Sequence, residues 1–257
     1  MTTTPVNLDI TDLLATSVRL VWVQGTAAFS IASLFSASQA GAWYDPSDIT
    51  TLYQDAAGTT PATADGDPVG RMLDKSGNGN HATQTVSGSR PVYRTDGTLH
   101  WLEFDGVDDL LFNYGFSRSN PDSLFFALEW LSPLSSKPLD GIQNNDASIF
   151  VFPDGRIRAF SSASFVLTPA GTISLDTPTV GTAIFNLANS KIRINGALTA
   201  GTTGVMSTSG ITMGGNSENL ENFTGKLFSV ISLGRLASPS EIENTEVYLA
   251  NLSGATL

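Results

Sequence analysis

The chain of 257 residues contains no cysteine. That excludes a disulfide framework, a thiolate metal site and a cysteine nucleophile, and it leaves the redox compartment unread. Charge is also scarce. Only 14% of residues are charged, and 13 of them are basic against 24 acidic, for a formal net charge of −11. A phosphate backbone or an anionic membrane surface needs a basic face, so nucleic acid and lipid headgroups are poor partners. No run of 18 apolar residues exists. The stretch from Leu20 to Tyr44 carries no charge but is interrupted by Gln24, Gly25, Ser30, Ser33, Ser36, Ser38 and Gln39. A signal peptide would open on basic residues, whereas Asp9 and Asp12 precede the apolar part here and Arg19 is the one base. The stretch is expected to be buried, in the fold or in an assembly interface, without membrane insertion.

What is abundant instead is turn chemistry. Gly (24 residues) combines with Ser, Thr, Asn and Pro, which implies many short strands joined by tight turns. Leu124, Phe126, Leu128 and Trp130 alternate with Ser123, Ala127 and Glu129, the pattern of a strand with two distinct faces. Ala147 to Phe152 and Arg156 to Ser161 flank Pro153-Asp154-Gly155, a hairpin signal. Thr182 to Ala188 and Lys191 to Ile194 form a second hairpin around Asn189-Ser190, with a further turn at Asn195-Gly196. Ile211 to Met213 and Lys226 to Leu233 complete a set of strands spaced as in a sandwich or barrel.

Two segments read differently. Residues 1–41 form an N-terminal appendage, a docking or assembly segment. In it Val18, Leu20 and Trp22 suggest a strand, and Ser30 to Gln39 suggests a short helix with Ile31, Leu34 and Phe35 on one side and Gly41 as its stop. Residues 42–257 form the sandwich. At its end Ser238-Pro239-Ser240-Glu241 is a capping box with proline at the first helical position. It predicts a helix over about Pro239 to Leu252, with Ile242, Thr245, Leu249 and Leu252 on one stripe, packed on an edge or end of the sandwich.

The informative motifs lie between Gly41 and Leu111: Trp43-Tyr-Asp-Pro-Ser-Asp48, then Asp74-Lys-Ser-Gly-Asn-Gly-Asn-His-Ala82, then Phe104-Asp-Gly-Val-Asp-Asp109. The second is a polar turn in which Asp and Asn bond nearby backbone and Gly takes positive φ. The pair of later motifs resembles the laminin-G-like, concanavalin-A-like lectin/glucanase superfamily. Lys191 to Gly196, Phe223 to Leu233 and the closing helix are similar to its later strands and end. The resemblance implies an all-β, antiparallel jelly-roll β-sandwich. The whole run, with Thr51 to Asp55, Pro68 to Gly70 and Arg90-Pro91, is similar to bacteriophage and prophage virion structural proteins of tails, fibres or head decorations. That resemblance implies a virion location, other virion proteins and host-surface polysaccharide as partners, and a homo-oligomer, a trimer if the protein builds a fibre or decoration. A purely architectural module without sugar binding and an endoglycanase are the other readings.

Glu103, Asp105 and Asp108 imitate the paired acids of a glycosidase, yet Gly106 interrupts the strand, so a turn whose carboxylates cap backbone amides is expected and no enzyme. Asp74, Ser76, Asn78 and Asn80 place oxygens at alternate positions, like the first half of a calcium loop, but position twelve is Thr85 rather than Glu. They are the metal candidates, against a hydrogen-bonded turn; no other cofactor is expected. His81 reads as turn packing and His100 has no evident partner, so no Ser-His-Asp triad is indicated. Trp43, Trp101 and Trp130 are expected in the core rather than under a sugar ring. Asn144-Asn145 and Asn216 to Asn222 are candidates for a polar rim, with no ligand-binding residue assigned.

Overall fold

The computed structural model describes residues 29–142, 146–216 and 221–257. The expected strand around Val18 to Val23 lies outside them. Among the described residues seventeen strands follow in chain order: β1 (Gly41–Tyr44), β2 (Leu52–Tyr53), β3 (Arg71–Met72), β4 (Ala82–Thr83), β5 (Val92–Thr95), β6 (His100–Asp105), β7 (Leu111–Ser119), β8 (Asp122–Trp130) and β9 (Ser136–Asp140). The chain continues through β10 (Asp146–Val151), β11 (Ile157–Ser161), β12 (Ser164–Leu167), β13 (Pro178–Phe185), β14 (Ser190–Ile194), β15 (Ala197–Gly201), β16 (Ser207–Met213) and β17 (Thr224–Leu233). One helix, α1 (Pro239–Ser253), closes it.

The strands form two antiparallel sheets. One runs β15-β14-β13-β8-β17-β6-β5, with β1 also paired to β17. The other runs β12-β11-β10-β9-β16-β7-β4-β3-β2. The core lies between them, built from Leu124, Phe126 and Leu128 on one side and Leu139, Ile149, Ile211 and Met213 on the other. This is the expected antiparallel β-sandwich.

Strand β8 is buried along its whole length. Its even-numbered residues enter the core between the sheets, while Phe125 and Ala127 enter a second cluster with Val180, Phe228, Ile231 and Leu249. The sandwich therefore has a third layer. α1 lies across the outer face of β13, β8 and β17, not on an edge or end. The capping box is formed: Ser238 Oγ accepts from Glu241 N, the Glu241 carboxylate accepts from Ser238 N, and Gly254 ends the helix in the left-handed conformation. Thr245 and Leu249 are buried as expected and Ile242 is half-buried against the same cluster, whereas Leu252 is only half-buried and Glu246 and Ser253 are buried unexpectedly. Glu246 is tolerated inside because it accepts two hydrogen bonds from Arg193, each 2.9 Å, and one from Thr182 Oγ1 at 2.8 Å. A hydrophobic pattern does not reveal a neutralised acid.

Residues 31–38 form 3₁₀ turns, not a continuous helix, because Ser36 and Ala37 leave helical geometry. Ile31, Leu34 and Phe35 are buried as expected, in the cluster beneath α1. Gly41 then enters β1 at a φ of 151°, where a Cβ would stand 2.1 Å from the Ser232 carbonyl oxygen. Only glycine lets the chain join β17 at that point. No helix among the described residues is long and apolar enough to cross a membrane.

Candidate functional site

The Asp74 motif ties the incoming chain to the sandwich. Asp74 Oδ1 accepts from the backbone N of Trp43 (2.9 Å) and Ser76 (2.8 Å), and Oδ2 from Ser76 Oγ (2.7 Å) and Asn80 N (2.9 Å). Asn78 Nδ2 donates to the carbonyls of Gln39 and Gly41, and Asn80 Nδ2 also donates to Gly41. The four residues that sequence spacing offers to calcium thus face protein partners, and a cation held by Asp74 would displace donors already in place. His81 Nδ1 accepts from Asp74 N at 3.0 Å, and burial holds the imidazole below its ordinary pKa. His100 has a partner that the sequence did not indicate: its Nδ1 lies 2.6 Å from Tyr93 Oη.

The glycosidase-like acids form a second turn. Asp105 Oδ1 accepts from Val107 N at 2.7 Å, Asp109 Oδ2 from Asp105 N at 3.0 Å, and Asp108 Oδ2 from Ser89 Oγ at 2.7 Å. Glu103 faces Arg94, 3.4 Å away. Gly106 allows the turn at a φ of 77°, where a Cβ would overlap Thr224 Oγ1. Asp105, Asp108 and Asp109 bring their oxygens within 4.8 Å of one another, a grouping the sequence reading left out of its metal candidates. Burial, then the neighbouring carboxylates, push the Asp109 carboxyl up to about 6.

Trp43, Trp101 and Trp130 belong to the core clusters. Trp43 packs edge-on against Tyr248, and Trp101 against Phe228. Lys75 Nζ lies 4.6 Å from the Trp43 ring centre and Lys226 Nζ 4.9 Å from that of Trp101, so a lysine already occupies a face of each. Asn144, Asn145 and residues 217–220 lie outside the described residues; Asn216 is buried, and Asn222 donates to the Val107 carbonyl.

The surface that remains is the outer face of the nine-stranded sheet. Alternation sends Leu139, Ile149, Ile157, Ala159, Val166, Ile211, Met213 and Leu111 inward, so their neighbours point out. Strand register places those neighbours in one row. Phe165 pairs with Phe160 and Phe160 with Ser148. Ser148 faces Asp140, one step from the Ile149–Leu139 pair. Asp140 pairs with Thr212, Thr212 with Phe112, and Phe112 with Thr83. The row is polar in the middle and aromatic at both flanks. Its centre is closed: Asp140, Ser148 and Thr212 have no solvent exposure, and Asp140 Oδ2, Ser148 Oγ and Thr212 Oγ1 have no hydrogen-bond partner among the described residues. Burial pushes the Asp140 carboxyl up to about 6, against the pull of Lys137, whose Nζ is 3.7 Å from Oδ2. The flanks are open. Phe165 is 47% exposed and Tyr114, stacked edge-on with Phe112, is 58% exposed.

These aromatic residues were not singled out in the sequence. The signal was present in Ile149-Phe-Val-Phe152 and in Arg156-Ile-Arg-Ala-Phe160. There both parities of the strand carry large apolar or cationic groups, so one aromatic set must face outward.

The two raised carboxyls set a pH dependence. Each binds a proton more tightly folded than unfolded, where an aspartate titrates near 4. Their contribution is complete below about pH 4 and is lost as pH rises through 6, up to about 3 kcal/mol per group. Urea unfolding at pH 4.5 and 7.5 is expected to show a smaller difference in Asp140→Asn than in the natural chain. An unchanged difference contradicts the assignment.

No protein-family model matches the chain, and no curated protein sequence does. Solved structures do. A Trypanosoma rangeli sialidase in complex with sialic acid matches at a TM-score of 0.55 and 13% identity, over 84% of this chain and 33% of the sialidase. Domain 4 of AbnA, a GH43 extracellular arabinanase from Geobacillus stearothermophilus in complex with arabinotriose, matches at 0.50 and 17%, over 66% of this chain and 90% of that domain. The receptor-binding domain of botulinum neurotoxin type G matches at 0.51 and 16%, over 72% and 51%. The chain thus spans about a third of the sialidase it resembles. At these identities the likeness shows the fold alone, an antiparallel β-sandwich, and an architecture of this kind does not fix a function.

Proposed function

We propose that the protein binds a surface glycan through the outer face of the nine-stranded sheet, as a structural component of a bacteriophage particle. One observation carries the binding reading. The opposite sheet is covered over its central strands β13, β8 and β17 by α1 and the 31–38 turns, while this face leaves the aromatic side chains of Phe165 and Tyr114 open to solvent. Exposed rings on a rigid sheet are what a sugar's apolar face packs against. The sandwich fold shared with domains solved in complex with sugars supports it. The particle reading rests on the similarity of the Trp43 to Asp109 run to virion proteins, and a homo-oligomer belongs to it.

A glycan array probed with the full chain is expected to show saturable binding. Phe165→Ala or Tyr114→Ala should weaken it about three- to tenfold, the loss of one aromatic contact. Binding that both variants leave intact moves the site elsewhere; saturable binding to nothing leaves the purely architectural reading. Mass spectrometry of purified particles tests the location, and absence there removes it.

A further inference from the structure

Arg158 lies on this face, and its surroundings are unusual within the molecule. It projects outward from β11, next to Phe160 and across from Phe150. Its guanidinium carbon lies 4.8 Å from the ring centre of Phe150, 5.2 Å from Phe160, 5.4 Å from Phe152 and 5.7 Å from Phe165. Every other arginine among the described residues hydrogen-bonds or pairs with a carboxylate or a carbonyl. Arg71 and Arg90 use carbonyls; Arg94, Arg118, Arg156, Arg193 and Arg235 use Glu or Asp. Arg158 makes no such bond, and its Nε is buried without a partner.

We infer that Arg158 is an anion receptor, and that the glycan bound at this face carries a carboxylate or sulfate group that docks on its guanidinium. The inference rests on the glycan-binding reading and specifies the ligand. The phenyl rings hold the guanidinium by cation–π contact, which leaves its N–H groups unspent. The terminal nitrogens, Nη1 and Nη2, form the fork that matches a carboxylate or a sulfate oxygen pair. Burial lowers the pKa of Arg158 and outweighs the opposing pull of Glu221, a carboxylate already paired with Lys137 at 2.8 Å, so an incoming anion adds charge compensation where the cation–π contacts leave the N–H groups free. The flanking Phe160 and Phe165 then lie where the sugar ring carrying the anion would pack. The neighbouring cation Arg156 does not compete, because its Nε is 2.7 Å from Asp154. Since the protein as a whole is strongly acidic, attraction for a polyanion is local to this site.

Affinity electrophoresis of the full chain through gels containing a polyuronate, the same polymer after carboxyl reduction, dextran sulfate or plain dextran tests this. The natural chain should be retarded by an acidic polymer and at least tenfold less by its neutral counterpart. The acidic polymer that retards it tells carboxylate from sulfate. Arg158→Gln should abolish the difference, with Arg158→Lys between, since lysine keeps the charge and loses the fork. Equal retardation by acidic and neutral polymers, or an acid preference that survives in Arg158→Gln, overturns the anion receptor and leaves the glycan reading standing. Retardation by no polymer overturns both. If Arg158→Gln does not fold, the comparison of each polymer with its neutral form on the natural chain still decides.

Discussion

Replacing Asp74 by alanine is expected to lower the unfolding free energy by about 3–5 kcal/mol. Three backbone amides, those of Trp43, Ser76 and Asn80, donate to this one carboxylate. Each buried donor left unmade costs roughly 1–3 kcal/mol, less where water reaches it. The carboxylate also fixes the segment on which Asn78 and Asn80 clasp the carbonyls of Gln39 and Gly41. Its loss should therefore free β1 from β17 as well as loosen the loop. Asp74→Asn keeps an acceptor but turns an amide donor toward other donors, so its cost should fall between the two. Denaturant unfolding measures the energies, and amide hydrogen exchange at Trp43 and Asn80 should accelerate in the alanine variant ahead of the strands at the centre of the sheets. A cost below about 1 kcal/mol would mean the clasp is redundant.

A loss of about 3–5 kcal/mol is also expected for Asp122→Ala, for a different reason. Arg118 on β7 and Asp122 on β8 face each other across the turn that links the two sheets, 2.7 Å apart and with side chains 1% and 0% exposed. Removing the acid strands a guanidinium in a fully buried site, where Nη1 already lacks a partner among the described residues. Removing both charges avoids that penalty. The double variant Arg118→Met, Asp122→Leu should recover most of the stability lost by Asp122→Ala, since a buried ion pair is often exchangeable for apolar packing. A double-mutant cycle by urea unfolding decides. If the double variant is as unstable as the single one, the pair holds the turn by geometry rather than by charge balance.

The contrast between these two sites bears on what the sequence reveals. Asp74 lies in a local motif, and its role as a turn carboxylate was legible from the spacing of Asp, Ser, Asn and Gly. So were the Pro153-Asp154-Gly155 hairpin and the Ser238 to Glu241 cap, whose signals occupy three or four adjacent residues. Burial of Arg118, Asp122 and Glu246 was not legible, because each depends on a partner brought in by strand pairing or helix docking. Strand β8 shows the same limit. Alternation gave it two faces, but only the placement of α1 makes the second face buried. The candidate site depends most on register. Phe160, Ser148, Asp140, Thr212 and Phe112 come from five strands, and a shift of one residue in any of them would turn its side chain into the core. No linear pattern encodes that row.

The third layer gives the molecule a front and a back. Phe29 to Gly41 approach on the side roofed by α1, whereas Arg158 and its phenyl rings look out from the far sheet, across the full thickness of the sandwich. A domain held by a partner on that roofed side, at Phe29 to Phe35, would turn its aromatic surface away from its support and toward the surrounding medium.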